Sequence, residues 1–322
     1  MEQSKWLRIV TMGDPRGVGP DIILMTAAKL GPTFSPVVVG SRAVLEERAR
    51  MLGLPMYPGC VEEPSDSPVD ALAQPGVAAL SYLDYATSRI AQSDVSAFLL
   101  TAPIQKSAMH HAGFKYPGHT EYLAARARVK RVYMLMANHE LRVLLVTVHE
   151  PLSRVPKLLT VSGVAEALLV AAQTCMHDFR IPQPRVALAG LNPHASENGM
   201  FGREESDILQ PALDRAERAA IRQGWKTSFI GPVPPDTVFW EARTGAYDLV
   251  VALYHDQGLI AIKTLDFHGF VNVTLGLPYV RCSPDHGTAL QLAGSGLANP
   301  GSFISAWKLG ETLLQNRAAL HV

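Results

Sequence analysis

Short apolar runs rich in β-branched residues alternate along this chain with stretches of helical length. Residues 7–12, 37–39, 97–100, 141–148, 185–191, 249–253 and 271–274 read as strands, and the most apolar of them as strands buried on both faces. Helices are expected over residues 21–30, from a Ser41 cap to about Leu52, and over 161–179, 207–222, 288–292 and 303–314. In 207–222, Leu209, Leu213, Ala216 and Ala220 recur at three- and four-residue spacing. Such alternation specifies the α/β class, with helices on both faces of a mainly parallel sheet. One exception is written in: residues 132–137 and 141–148 flank Asn138-His139-Glu140 as a hairpin would, an antiparallel element in a parallel sheet. Residues 55–78, rich in Pro, Gly, Asp and Ser, read as irregular.

With 322 residues the chain can build two domains. It is expected to leave the first near residue 125 and return near 276, giving one domain from 1–125 plus 276–322 and another from 126–275. Formal net charge is zero, which gives no electrostatic case for nucleic acid or an anionic membrane surface. Any anion must be recognised by a few placed cations. Cys60, Cys175 and Cys282 form neither a metal spacing nor a disulfide framework. The N-terminus has no apolar segment of signal-peptide type and no run approaches the length of a membrane span, so a cytoplasmic protein with no membrane partner is expected.

Three histidines fall just past strand ends: His149 after 141–148, His194 in Asn192-Pro193-His194, and His255 in Tyr254-His255-Asp256-Gln257-Gly258. Open α/β sheets bind ligands along the carboxyl edge of their strands. Three imidazoles gathered there suit Zn²⁺ or another borderline divalent ion, with a coordination position open for substrate. A lone histidine at a strand end is usually just hydrogen-bonded, and the three are too far apart for a zinc-finger or His-Glu-x-x-His spacing.

Other clusters carry weaker signals. Gly13–Pro20 joins a strand to a helix like a phosphate-cradling turn, but is neither G-x-G-x-x-G nor a P-loop; a tight turn needing positive φ reads equally well. In Gly118-His119-Thr120, Gly118 lets a backbone approach a ligand, and Thr120 can cap the next helix or donate to substrate. Lys263, Asn272 and Arg281 lie downstream of His255. Asn272 sits in a buried strand, where an unpaired polar group is costly. Two cations and an amide converging there would suit a phosphate or carboxylate. Asp285 reads as an N-terminal partner for a helix of small residues after it.

Taken in order, Gly13-Asp14-Pro15-x-Gly17-Val18-Gly19-Pro20, Thr101-Ala102-Pro103-Ile104-Gln105-Lys106, Gly118-His119-Thr120-Glu121, Asn192-Pro193-His194-Ala195, Tyr254-His255-Asp256-Gln257-Gly258 and the run from Val271-Asn272 to Arg281 resemble the 4-hydroxythreonine-4-phosphate dehydrogenase (PdxA) family of pyridoxal phosphate biosynthesis. The resemblance spans residues 7 to about 305. It implies two α/β/α domains around a cleft, similar to isocitrate and isopropylmalate dehydrogenases. It implies a homodimer whose active sites are shared, the second domain supplying the histidines and much of the dimer interface. A divalent metal (Zn, Mg or Co) would be held by His149, His194 and His255. Substrate would meet His119, Thr120, Lys263, Asn272 and Arg281, and NAD or NADP would bind without a Rossmann fingerprint, through residues the sequence does not identify. The implied reaction is metal-dependent, NAD(P)-linked oxidation with decarboxylation of 4-phosphooxy-threonine or a close hydroxy acid phosphate. Lys263 and Asp256 are the candidate catalytic groups, with Asp266 a further candidate for proton transfer.

Two departures bear on substrate: Ser196 stands where the family has Gly, as in relatives acting on a terephthalate-derived cis-dihydrodiol, and Thr101–Gln105 differs from the usual Gly-Pro-Val-His. Threonate or erythronate 4-phosphate would use the same residues. A three-histidine hydrolase and a non-catalytic metal or anion-binding module are the rival classes.

Overall fold

The structure, a computed structural model, describes residues 6–320. Eleven strands succeed one another among them: β1 (Leu7–Thr11), β2 (Val37–Val39), β3 (Val61–Glu62), β4 (Ala97–Thr101), β5 (Tyr133–Ala137), β6 (Arg142–Leu145), β7 (Arg185–Ala189), β8 (Ser228–Val233), β9 (Leu249–Ala252), β10 (Val271–Leu275) and β11 (Val280–Pro284). The chain divides into two units. Unit 1 runs to Val132 and resumes over Leu277–Ala318; unit 2 is built on Tyr133–Gly276.

Unit 1 orders its strands β3-β2-β1-β4-β11, all parallel. Ile9, Val10, Leu99 and Leu100 are fully buried, as apolar parallel strands require. Ser41 Oγ accepts from Val44 N at 3.5 Å and caps the helix Arg42–Leu52, as its position suggests. The helix Gly301–Ala318 lies on the sheet through Trp307, whose ring is 4.8 Å from Phe34 and 5.6 Å from Phe98. Gly310 permits that approach, because a Cβ there would sit 2.0 Å from Phe98 Cζ.

Unit 2 orders its strands β10-β5-β6-β9-β7-β8. β6, β9, β7 and β8 run parallel, while β5 pairs antiparallel with both β6 and β10. The expected hairpin forms between β5 and β6, with Asn138 Oδ1 accepting from the N–H groups of Glu140 and Leu141 at 2.8 Å each. One sheet face buries Val143, Ala187, Val250 and Ala252 against Ile262 and Phe270. The other buries Leu144, Leu188 and Val251 at 0% exposure, on the side of helix Val161–His177.

Several elements depart from expectation. The irregular stretch gives way at Pro75 to a helix, Pro75–Ala91; proline at the first helical turn loses no bond, since its missing N–H would have no partner there. The helix expected over 288–292 is one 3₁₀ turn, Leu290–Leu292, entered through Ala289 at φ 40°. The N-cap of that turn is Ala289, not Asp285, whose N–H donates to Ser302 Oγ at 3.2 Å. The Tyr254–Gly258 motif opens a helix not expected from the sequence, His255–Leu265. The helix expected over 207–222 opens with a π-turn, Glu205–Leu209, before Gln210–Arg222. The cysteines are all free, and among the described residues no single helix is long and apolar enough to cross a membrane.

Candidate functional site

Because β6, β9 and β7 are neighbouring and parallel, their carboxyl ends share one edge of unit 2, and His149, His255 and His194 come just after those ends. The segments after β6 and β9 stay zipped together. Val146 N donates to Ala252 O at 2.9 Å, and Thr147 donates to Leu253 O through N at 3.2 Å and Oγ1 at 2.7 Å. That pairing brings the His149 and His255 rings to 5.7 Å between centroids. His255 Nδ1 meets Asp256 Oδ1 at 2.7 Å. A carboxylate on one ring nitrogen orients the other, Nε2, as a metal-facing lone pair.

His194 is carried differently. Residues 194–198 all have positive φ, at 53°, 50°, 77°, 46° and 58°. Left-handed backbone costs a non-glycine residue about 1–2 kcal/mol, so strong anchors must hold the loop. Glu205 Oε1 accepts from Leu191 N at 2.8 Å and Asn192 N at 2.7 Å, and its Oε2 accepts from Asn192 Nδ2 at 2.9 Å. Hydrogen bonds to a charged acceptor are worth about 1.5–3 kcal/mol each, enough to offset much of that strain. Ser196 is 3% exposed; its Oγ donates to Gly202 O at 2.7 Å and accepts from Gly199 N at 2.9 Å. The serine that hinted at a dihydrodiol substrate thus has an internal structural task. Among the described residues no three His, Cys, Asp or Glu side chains converge on one point, so this chain pairs two of its three candidate ligands and displays the third on a separate, exposed loop. Two adjacent imidazoles, one backed by a carboxylate, fit a borderline divalent cation.

The strand order of unit 1 reverses between β1 and β4, where open sheets of this kind place ligands. The Gly13 turn proves tight: φ is 72°, and a Cβ would lie 2.3 Å from Pro103 O. Buried Arg48 secures the rest of that loop, pairing with Asp21 at 2.6 Å and donating to Gly17 O at 3.2 Å and Pro15 O at 3.3 Å. Burial raises the Asp21 carboxyl pKa, against the pull of Arg48.

A cationic cluster lies on the same unit. Arg281 on β11 is 3% exposed and donates to Thr101 Oγ1 at 2.7 Å. His119 opens the helix His119–Arg126, whose N-cap, Gly118, makes no side-chain hydrogen bond. A Cβ on Gly118 would sit 3.7 Å from Lys106 Cε, which places that lysine beside the helix start. Burial first, then the charges of Arg281 and Lys106, push the His119 imidazole down to about 3. Burial brings Arg281 down to about 10. Glu121, in the first turn of the same helix, brings one carboxylate, its Oε2 3.5 Å from where a Gly118 Cβ would sit; Arg281 and Lys106 outnumber it, and a helix start with that charge balance suits a phosphate. Thr120 lies within the first turn and does not cap the helix, contrary to the alternative read from sequence. Sequence reasoning misses Lys106, whose only signal is its place in Thr101–Lys106.

Lys263 and Asn272 belong to unit 2. Lys263 Nζ lies 5.7 Å from the Phe267 ring centre. Asn272 Oδ1 is buried without a hydrogen bond, the cost its strand position foretold. Asp256 and Asp266, alternatives in the sequence, have different tasks: Asp256 backs His255, whereas Asp266 Oδ1 accepts from His268 N at 3.1 Å and Gly269 N at 2.8 Å in a local turn.

The profile of the family described as pyridoxal phosphate biosynthetic protein PdxA matches residues 33–310. The chain belongs to this family. It is 40% identical to 4-hydroxythreonine-4-phosphate dehydrogenase of Chromobacterium violaceum, covering 94% of this chain and 95% of the relative. The crystal structure of 4-hydroxythreonine-4-phosphate dehydrogenase from Klebsiella pneumoniae superposes with a TM-score of 0.84 at 34% identity, over 98% of this chain and all of that one. A terephthalate 1,2-cis-dihydrodiol dehydrogenase from Burkholderia xenovorans gives 0.67 at 28% identity, over 95% of this chain and 98% of that one. PdxA relatives thus stand nearer to this chain than the dihydrodiol enzyme does.

Proposed function

We propose that this PdxA protein is a dehydrogenase that oxidises 4-phosphooxy-threonine, or a close four-carbon hydroxy acid phosphate, with a divalent metal and NAD or NADP, in pyridoxal phosphate biosynthesis. The observation that carries the reading is the His149–His255 pair, backed by Asp256 and set on the strand edge that also bears the His194 loop. His149, His194 and His255 would hold the metal, the exposed third ligand being met by a second copy of the chain in a homodimer. Held there, a divalent cation would supply Lewis-acid stabilisation of negative charge on a substrate oxygen, and NAD or NADP would supply the hydride acceptor.

The chain's own residues do the rest. Arg281, with the N–H groups opening helix His119–Arg126, would hold the phosphate, assisted by neutral His119 and by Thr120. Remote binding energy there orients the reacting carbon. Asn272 Oδ1 would accept a substrate hydroxyl or amine, and Lys263 would carry a proton at Nζ to or from the substrate.

The test is NAD(P) reduction over 4-phosphooxy-threonine, threonate and erythronate 4-phosphates and a cis-dihydrodiol dicarboxylate, with and without chelator. Metal-dependent turnover of the first substrate is expected. Turnover that survives both chelation and His194→Ala would reject the metal assignment, and exclusive turnover of the dihydrodiol would reject the phosphate site.

A further inference from the structure

A buried carboxylate that the proposed chemistry does not use governs how His194 is presented. Glu205 is 5% exposed and takes both backbone N–H groups immediately before the Pro193-His194 turn. Asn192 Nδ2 is shared between Glu205 Oε2 at 2.9 Å and Glu204 Oε2 at 2.8 Å. Gly202 leaves room for this clamp, since a Cβ there would lie 2.6 Å from both Asn192 Nδ2 and Glu204 Oε2. The same backbone is held from its other side. Gln257 Nε2 donates to Gly190 O at 2.7 Å, while Gln257 Oε1 accepts from Leu253 N at 2.7 Å, two residues before His255. Past Asn192 the chain enters its left-handed run and has no strand ladder to guide it. The direction of the imidazole is therefore set between the Glu205 anchor just upstream and the Ser196 bonds two residues downstream. Glu205 begins a π-turn, a local widening of a helix that recurs at functional sites.

We propose that Glu205 is a positioning residue for His194: by fixing the N–H groups of Leu191 and Asn192 it aims the ring as a metal ligand. This rests on reading His194 as a ligand, so the experiment separates the two. Co²⁺ binding to the full-length protein would be measured by calorimetry and by visible absorption, in the unsubstituted protein, Glu205→Ala, Glu205→Gln and His194→Ala. Supporting groups of this kind typically contribute about 10–100-fold to metal affinity. Glu205→Ala is expected to weaken Co²⁺ binding by about that factor and to shift the Co²⁺ bands. Glu205→Gln, which keeps an acceptor for both N–H groups, is expected to retain most of the affinity and the bands, a rescue that a general loss of stability would not give. If Glu205→Ala does not fold, Glu205→Asp decides, because its shorter arm withdraws the carboxylate while keeping the charge. Unchanged affinity and bands in the Ala or Asp variant, with His194→Ala impaired, would overturn the proposal, as would equal losses in the Gln and Ala variants. Unchanged binding in His194→Ala would overturn the ligand reading itself, and the proposal with it.

Discussion

His119 offers the sharpest physical test of the anion site. Its imidazole lies at about 3 in the native state, against 6.5 for an unperturbed histidine, because burial and the Arg281 and Lys106 charges oppose a third positive charge. The native state therefore binds fewer protons than the unfolded state between those values, so stability falls as pH drops through this window and is unaffected above it. At pH 5 the loss amounts to about 2 kcal/mol, since each unit below the unfolded pKa is worth about 1.4 kcal/mol to a single proton. His119→Asn keeps a neutral polar group and removes the titration. Urea unfolding at pH 7 and pH 5, tracked by probes in unit 1, should show a loss in the native chain larger by about 2 kcal/mol than in the variant. NMR of labelled imidazole checks the same point directly, and phosphate should raise the His119 pKa by screening its cationic neighbours. A native His119 that titrates near 6.5 without phosphate, or equal pH dependence in both proteins, would refute the reasoning.

Arg281→Met should raise KM for a phosphorylated substrate by about 100-fold, the loss of a desolvated charged anchor, and Arg281→Lys should restore only part because it cannot present a planar fork; steady-state kinetics decides. Asp256→Asn should weaken Co²⁺ binding by about tenfold or more, measured by calorimetry, by loosening the His255 ring. Gly310→Ala should destabilise unit 1 by about 1–3 kcal/mol or more, seen as a lower Tm, because its Cβ would fall 2.0 Å from Phe98 Cζ with no room to relax.

What the sequence made legible was local. The apolar runs at 37–39 and 271–274 became β2 and β10, Ser41 capped its helix, and Asn138 closed its hairpin, because each depends on neighbours a few residues apart. Helix Pro75–Ala91 was obscured by the proline at its own start. The small-residue segment after Asp285 lacked the apolar periodicity to sustain more than one 3₁₀ turn.

The site was legible one residue at a time and obscure as a constellation, for a topological reason. A histidine just past a strand can be read locally, but which strands are neighbours is set by pairing across long loops. β6 lies beside β9 although more than a hundred residues separate Leu145 from Leu249, and only that adjacency brings His149 to His255. Arg281 and Thr101, 180 positions apart, meet for the same reason, and with them the cluster that keeps His119 neutral. Glu205 is the extreme case. Nothing in its own surroundings marks a buried carboxylate, because its partners are backbone N–H groups, which every sequence supplies at nearly every position. Groups that do chemistry carry unusual side chains and can be picked out of a sequence; groups that aim them through the backbone become visible only once the chain is folded.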